Sequence, residues 1–217
     1  FKNLQIETHF ISKNFDKKLF KPSFNFNLVK NKKIIIPQQT HSSNVKFSDL
    51  PGSISRCDGI FTSNPNLVCS LKVADCMPIY FAHKSKIFFG LVHAGWRGLT
   101  SDILQNTGML IKKLKYELKY FDIVIGPSIQ ACCFEVSEDI KGYFSEQYLK
   151  IKTNGKYRVN IQKIAVDSLI KTGFSKKAIH IIDDCTFCME ESYYSFRRDN
   201  GTKDRMIALI GYKKQIN

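Results

Sequence analysis

Apolar and β-branched residues recur along the chain in short runs bounded by Gly, Pro, Asn and Ser, the pattern of strands. Such runs predict strands over residues 33–36, 59–62, 67–73, 79–81, 87–93, 121–125, 178–182 and 206–211. Between them, Ile103, Leu104, Thr107, Leu110, Ile111, Leu114 and Leu118 repeat at three-to-four-residue spacing, the stripe of a helix buried on one face. Thr100 or Ser101 is its expected N-cap. Further helices are predicted over 138–149 and 161–171, the latter stopped by Gly173. Pro78 lacks a backbone N–H, so its strand is expected to break there or to lie at an edge. Strands outnumber helices and several follow one another directly. That favours an α+β domain, layered α/β/β with a mixed sheet, over a regular parallel fold. No repeat or Gly/Ser-rich linker interrupts the pattern, so residues 1–217 are read as one domain.

Composition narrows the class. Hydrophobic content of 43% and charged content of 24% are those of a globular protein able to bury a core. No run approaches the roughly 20 apolar residues of a membrane span, and FKNLQIETHF alternates too often with polar groups for a signal-peptide core. The net charge of +14 comes from lysines scattered along the chain, which reads as solvated surface rather than a nucleic-acid stripe. Seven dispersed cysteines, an odd number, suit free thiols or metal ligands in a reducing compartment rather than a disulfide frame. The expectation is a cytoplasmic protein without a membrane or nucleic-acid partner.

Three ligand-type side chains sit where apolar runs give way to turns: His41 in PQQTHSSNV, Cys76 in LKVADCMPIYF and His93 in IFFGLVHAGWRG. Two imidazoles and a thiolate suit Zn²⁺ or copper and leave a fourth position open, as in catalytic zinc sites. The alternative is two hydrogen-bonded sheet-end histidines and a buried thiol. After His93, Gly95 and Gly98 permit close backbone approach, Arg97 brings a guanidinium fork, and a helix start adds unpaired N–H groups. Together these suit an anion; alternatively Arg97 pairs with Asp75 or Asp58. Trp96 is either a pocket wall or a core anchor. Arg197 and Arg198, beside Tyr193, Tyr194 and Phe196, offer a second phosphate clamp with stacking surface, or a surface ion pair with Asp199. Glu135 lies among apolar residues, suited to proton transfer or to a structural contact. Cys185-x-x-Cys188 is a redox pair, half a zinc site, or a thiol near the pocket; no second C-x-x-C exists, and Cys132-Cys133 is adjacent rather than spaced.

The segments QQTHSSNV, DGIFTSNPNLVCSLKVADCMPIYF, LVHAGWRGL, IGPSIQACCFEV and YYSFRRDNGTKDRMIALI, in this order, resemble the laccase-domain family. That family is also called YfiH-like or polyphenol oxidase, and some of its members are described as purine nucleoside phosphorylases. The resemblance runs from about residue 34 to residue 211. It implies a layered fold shared with cysteine-dependent toxins and a metal trio at His41, Cys76 and His93. The chain departs from the family pattern at Gln38-Gln39, at Ser128 and Gln130, and at Lys203-Asp204. It also lacks the family's glycine-rich loop in residues 10–25. These departures touch pocket walls rather than the trio.

The implied activities are phosphorolysis of adenosine, inosine or methylthioadenosine with inorganic phosphate as co-substrate, and adenosine deamination by metal-activated water. Cys76, His41, His93 and Arg97 are the expected catalytic set, with Trp96, Arg197 and Glu135 at the substrate. Copper-dependent phenol oxidation is a second reading, opposed by a total of only five histidines. A third is a metal-free cysteine hydrolase with Cys76 as nucleophile.

Overall fold

The structure, a computed structural model, describes residues 5–13, 32–151 and 155–213. Strands β1 (Ile6–Ile11), β2 (Lys33–Pro37), β3 (Val45–Phe47), β4 (Gly52–Ile54), β5 (Gly59–Thr62), β6 (Leu67–Val73), β7 (Met77–His83) and β8 (Phe89–Ala94) precede helices α1 (Trp96–Thr100) and α2 (Ile103–Lys113). Then come β9 (Phe121–Ile125), β10 (Glu135–Val136), α3 (Glu138–Lys141), β11 (Leu149–Ile151), β12 (Tyr157–Val159), α4 (Ile161–Thr172), β13 (Ile179–Ile181) and β14 (Met206–Tyr212).

A six-stranded sheet of order β13-β9-β7-β8-β5-β3 forms the middle layer, a five-stranded sheet of order β1-β14-β6-β2-β4 covers one face, and β10-β12-β11 form a small third sheet. Both large sheets mix parallel and antiparallel pairs. Alternation along a strand sends successive side chains to opposite faces. In β7, Met77, Ile79 and Phe81 pack with Ile103, Leu104, Ile111 and Leu169 of α2 and α4. Tyr80 and Ala82 face Leu67, Cys69, Leu71, Ala208 and Ile210 of the second sheet. All of β7 and β8 is therefore buried, which is why these strands read as continuous apolar runs. The fold is the expected mixed α+β arrangement, helix layer on sheet on sheet.

Several expectations need correction. Pro78 neither breaks its strand nor sits at an edge, because β7 is paired on both sides. Its carbonyl accepts from Gly126 N at 2.9 Å, and His93 opposite it turns its own N–H to Asp58 O at 2.7 Å. The missing donor of Pro78 therefore falls on the β9 side, opposite Gly126, one residue past the end of β9 and at the start of the β7–β9 ladder. The helix expected from Thr100 or Ser101 begins later, as α2 at Ile103, with Asp102 in the left-handed region (φ 66°) as its N-cap; a separate short helix, α1, ends at Thr100. Leu118 lies beyond α2 but is still buried. The helix expected over 138–149 is one turn, α3, ending at Gly142, a poor helix former. Phe144 then enters the core and Leu149 pairs with Val159. α4 fits its prediction, capped by Asn160, whose side chain accepts from Lys163 N, and closed by Gly173 at φ 113°. The sequence pattern missed β1 and the short strands β3, β4 and β10–β12. Most of residues 10–25 lies outside the described residues.

Candidate metal centre and its cavity

His41 follows β2, Cys76 lies between β6 and β7, and His93 is near the end of β8. Their ligand atoms lie within 4.8 Å of one another, and the imidazoles of His41 and His93 meet edge-on with centroids 4.9 Å apart. Gly95 makes this convergence possible: a Cβ there would lie 2.8 Å from Cys76 Sγ and 3.5 Å from His41 Cδ2.

Two buried aspartates hold the ligands. Asp58, with no exposed surface, accepts from His93 Nδ1 at 2.9 Å and His41 N at 3.0 Å through Oδ1. Its Oδ2 accepts from Ser42 N at 2.7 Å, Ser42 Oγ at 2.8 Å and Thr40 N at 3.1 Å. One carboxylate thus stabilises the left-handed backbone of His41 (φ 58°) and claims Nδ1 of His93, directing Nε2 to Cys76. Asp75, also left-handed at φ 78°, sets the direction of Cys76. It accepts from Thr186 Oγ1 at 2.6 Å, Arg197 N at 2.8 Å and Ser195 Oγ at 3.0 Å, and its carbonyl from Ile129 N at 2.9 Å.

The electrostatics follow from this packing. Burial alone would raise the Asp58 carboxyl, but hydrogen bonds from His93, Ser42 and Thr40 hold it well below the usual carboxylate range. Burial also disfavours the Cys76 thiolate, yet the charge of His93 and hydrogen bonds from both imidazoles bring it down to about 6. Against its own desolvation, His93 is raised to about 9 by the Cys76 thiolate and by Asp58. Without a metal, the site is a thiolate–imidazolium pair.

These groups open into a cavity of about 620 Å³. Its wall includes Trp96, Phe134 and Phe196, and four cationic side chains, Lys72, Arg97, Arg197 and Arg205. Among the described residues Asp75 is the one carboxylate lining it, and its oxygens are already engaged. Among the described residues Arg97 pairs with neither Asp58 nor Asp75; its guanidinium lies 4.4 Å from the Trp96 ring centroid. Trp96 is both wall and anchor, touching Tyr143 and Phe144. α1 has only five residues, so the dipole expected to help Arg97 bind an anion is short.

Arg197 and Arg198 have different fates. Arg197 lines the cavity and donates through Nη1 to Glu135 O at 2.7 Å. Arg198 is consumed by Asp199 and the carbonyls of Thr186, Phe187 and Tyr193, and does not serve as a phosphate clamp. Glu135 is not a lining residue; its carboxylate lies 3.7 Å from Arg158 Nε. Cys185 does not itself line the cavity; it lies with Cys132, Cys133 and Cys188, next to Ser128 and Thr186. Of the departures expected at the pocket walls, only Gln39 lines the cavity; Ser128 accepts from Gln162 Nε2 at 3.1 Å and Gln130 donates to Asp184 O at 3.4 Å, and neither Lys203 nor Asp204 lines it. Gln39 exchanges two hydrogen bonds with the Lys72 backbone. Sequence reasoning missed the roles of Asp58, Asp75, Lys72, Phe134 and Arg205. The legible signal was a lone carboxylate within each of the runs CDGIF and VADCM.

Residues 18–213 match the family described as multi-copper polyphenol oxidoreductase laccase. The chain belongs to this laccase family. It is 29% identical over 193 residues to a purine nucleoside phosphorylase of Staphylococcus saprophyticus, covering 82% of this chain and 72% of that one. A purine nucleoside phosphorylase of Staphylococcus aureus (strain COL) matches with the same identity and coverage. Among solved structures, YlmD from Geobacillus stearothermophilus superposes with a TM-score of 0.78 at 26% identity, covering 85% of this chain and 75% of that one. YfiH from Bacillus licheniformis shares the fold, with a TM-score of 0.81 at 24% identity over 96% of this chain and 93% of that one. No helix among the described residues is long and apolar enough to cross a membrane.

The multi-copper part of the laccase description needs several histidine-rich centres, and this chain does not assemble them. His83 is buried against Phe121, Tyr116 and Tyr120, and its Nδ1 accepts from the Ser85 and Lys86 backbones. His9 pairs with Glu7 on β1, and His180 lies on β13 at the edge of the middle sheet. Only His41 and His93 meet.

Proposed function

We propose that this chain is a purine nucleoside phosphorylase that cleaves adenosine, inosine or methylthioadenosine with inorganic phosphate, using Zn²⁺ at His41, Cys76 and His93. The carrying observation is the cavity that joins the trio to four cations and three aromatic rings. The donor set fits the metal: two imidazoles and a thiolate within 4.8 Å, with Gly95 leaving room at the sulfur. When bound, the ion supplies Lewis acidity at the cavity floor.

The remaining chemistry belongs to the chain. Arg97 and Arg197, with Lys72 and Arg205, neutralise phosphate and hold its oxygen toward C1′ of the ribose. Trp96, Phe134 and Phe196 sandwich the planar base and keep water from the reacting carbon. Phosphate oxygen forms the bond to C1′ as the bond to N9 breaks, and a proton delivered to the purine lets it leave as the neutral base. Adenosine deamination would be a different reaction in the same cavity: water adds at C6 of the purine rather than at C1′, the C6–N bond breaks, and ammonia leaves, giving inosine. The test is incubation of zinc-loaded protein with inosine or adenosine and phosphate. The expected products are free base and ribose 1-phosphate in equal amounts. Their absence at millimolar substrate, with zinc verified in the protein, overturns the proposal.

A metal-free cysteine hydrolase is the second reading, supported by the Cys76–His93 pair with Asp58 behind it, an arrangement that would also activate a nucleophile. Chelation separates the two. Only the metal-dependent enzyme loses activity to a chelator alone and regains it with Zn²⁺.

A further inference from the structure

Cys132, Cys133, Cys185 and Cys188 also lie with their sulfurs within 4.8 Å of one another, away from the trio's ligands. Adjacent sulfurs are separated by 3.3 Å (Cys133–Cys188), 3.4 Å (Cys132–Cys133), 3.6 Å (Cys132–Cys185) and 3.7 Å (Cys132–Cys188). A disulfide needs about 2.05 Å, and all four thiols are free. A tetrahedral zinc with Zn–S near 2.3 Å sets its sulfurs about 3.8 Å apart. The observed separations lie close to that edge.

The fold explains the convergence. β9 and β13 are parallel neighbours, so the turns that follow them leave from the same end of the sheet. The turn after β9 carries Cys132 and Cys133; the turn after β13 carries Cys185 and Cys188. Ser128 and Cys185 form a β-bridge, Thr186 N donates to Ser128 O at 3.1 Å, and Met189 N donates to Cys185 O at 3.0 Å. The backbone N–H groups of Gln130 and Cys188 point at the Cys185 sulfur, as they do around metal-bound thiolates. Four thiolates with a divalent ion carry net negative charge. The Arg198 guanidinium lies beside them, donating to the carbonyls of Thr186 and Phe187 inside the C-x-x-C loop.

We propose that Cys132, Cys133, Cys185 and Cys188 form a second, structural zinc site with four sulfur ligands and no open position. Its role is mechanical. Ile129 and Phe134 flank the first cysteine pair and line the cavity. Thr186, inside the second pair, donates to Asp75, which precedes Cys76. The zinc would tie these two turns together behind the cavity wall. This inference goes beyond the proposed activity; only the zinc counted at the trio rests on that reading, while zinc in His41→Ala/His93→Ala does not.

The test is metal content, measured by mass spectrometry on protein purified in reducing buffer with zinc and no chelator. Two zinc ions per chain are expected for the unaltered protein and one each for His41→Ala/His93→Ala and for Cys185→Ser/Cys188→Ser. X-ray absorption on His41→Ala/His93→Ala should show a shell of four sulfurs near about 2.3 Å and no nitrogen. Should the serine variant fail to fold, thiol counting on His41→Ala/His93→Ala decides: zinc should protect four cysteines from a disulfide reagent, and a chelator should release them. The proposal is overturned if His41→Ala/His93→Ala holds no zinc, if its zinc carries nitrogen or oxygen ligands, or if iron occupies the sulfurs. A mass two or four daltons low, marking disulfides in the reduced preparation, overturns it as well.

Discussion

Replacing Asp58 by Asn tests whether one buried carboxylate organises the metal centre. The two side chains are nearly isosteric, so packing is preserved and only hydrogen-bond polarity changes. Among the described residues, every hydrogen-bond partner of the Asp58 carboxylate donates to it: His93 Nδ1, the backbone N–H groups of Thr40, His41 and Ser42, and the hydroxyls of Thr40 and Ser42. An amide offers only one acceptor oxygen. If its NH₂ takes the Oδ2 position, the Thr40 and Ser42 N–H groups lose their partner and the His41 loop is released. If it takes the Oδ1 position, His93 must accept at Nδ1, its proton moves to Nε2, and the nitrogen facing Cys76 is blocked. Either way the trio is damaged. Loss of such a supporting partner weakens metal binding by about 10–100-fold, or roughly 1.4–2.7 kcal/mol. Each stranded buried donor costs a further ~1–3 kcal/mol of fold stability. Zinc affinity is measured by competition with a chromophoric chelator, and stability by urea unfolding. Asp58 has its carboxyl pKa depressed on folding, so its stabilisation is complete above about 4, where the unfolded carboxylate is ionised, and is lost as pH falls toward the folded value. The unaltered protein should therefore lose stability below about pH 4 by a limb that Asp58→Asn lacks. Unchanged zinc affinity at the trio, with the variant folded, would refute the role given to Asp58.

Zinc binding at the trio should release about one proton between pH 6 and 9, because Cys76 is a thiolate above about 6 while His93 keeps its second proton up to about 9. Calorimetry in buffers of different ionisation enthalpy reads this number, and release of no proton in that window would contradict the ion pair. Arg197→Ala should raise the KM for phosphate by about 10–100-fold, the worth of a charge-assisted hydrogen bond, with a smaller effect on nucleoside KM; equal effects on both would remove Arg197 from the phosphate site. Gly90→Ala should destabilise the fold by about 3 kcal/mol or more, because its Cβ would meet Ile60 O and the Phe61 ring at 2.5 Å; thermal unfolding checks this, and a loss below about 1 kcal/mol would show that the sheet can yield there.

The middle of the fold was legible because burial on both faces writes itself into composition. β5, β6 and β9 have the predicted bounds, and α4 differs by one residue at its end. The misses have physical causes. β1 alternates with polar residues because, among the described residues, it is an edge strand, paired only with β14. The strands β3, β4 and β10–β12 have two or three residues each, too few to show a period. Pro78 was misjudged because proline is tolerated at the start of a strand's ladder, where it sits beside β9, and register is not visible in a local run.

The site divides in the same way. His41, Cys76 and His93 were legible through residue type and position at strand ends. The thiol cluster was not, because spacing was sought within one segment. A search for C-x-x-C twice over finds Cys185 and Cys188 and dismisses the adjacent pair Cys132-Cys133. Those four sulfurs meet through the parallel pairing of β9 with β13, a fact of topology that neither motif contains. Asp58 and Asp75 show the converse. Each was visible as a carboxylate stranded among apolar residues, and burying a carboxylate is unfavourable unless hydrogen-bonded partners compensate. That imbalance was itself the signal that several donors had to converge on them. The donors for Asp58 come from Thr40, His41, Ser42 and His93, the loop and strand that carry two of the three ligands. A buried acid within an apolar run therefore points to the residues it must organise, and here those are the candidate metal ligands.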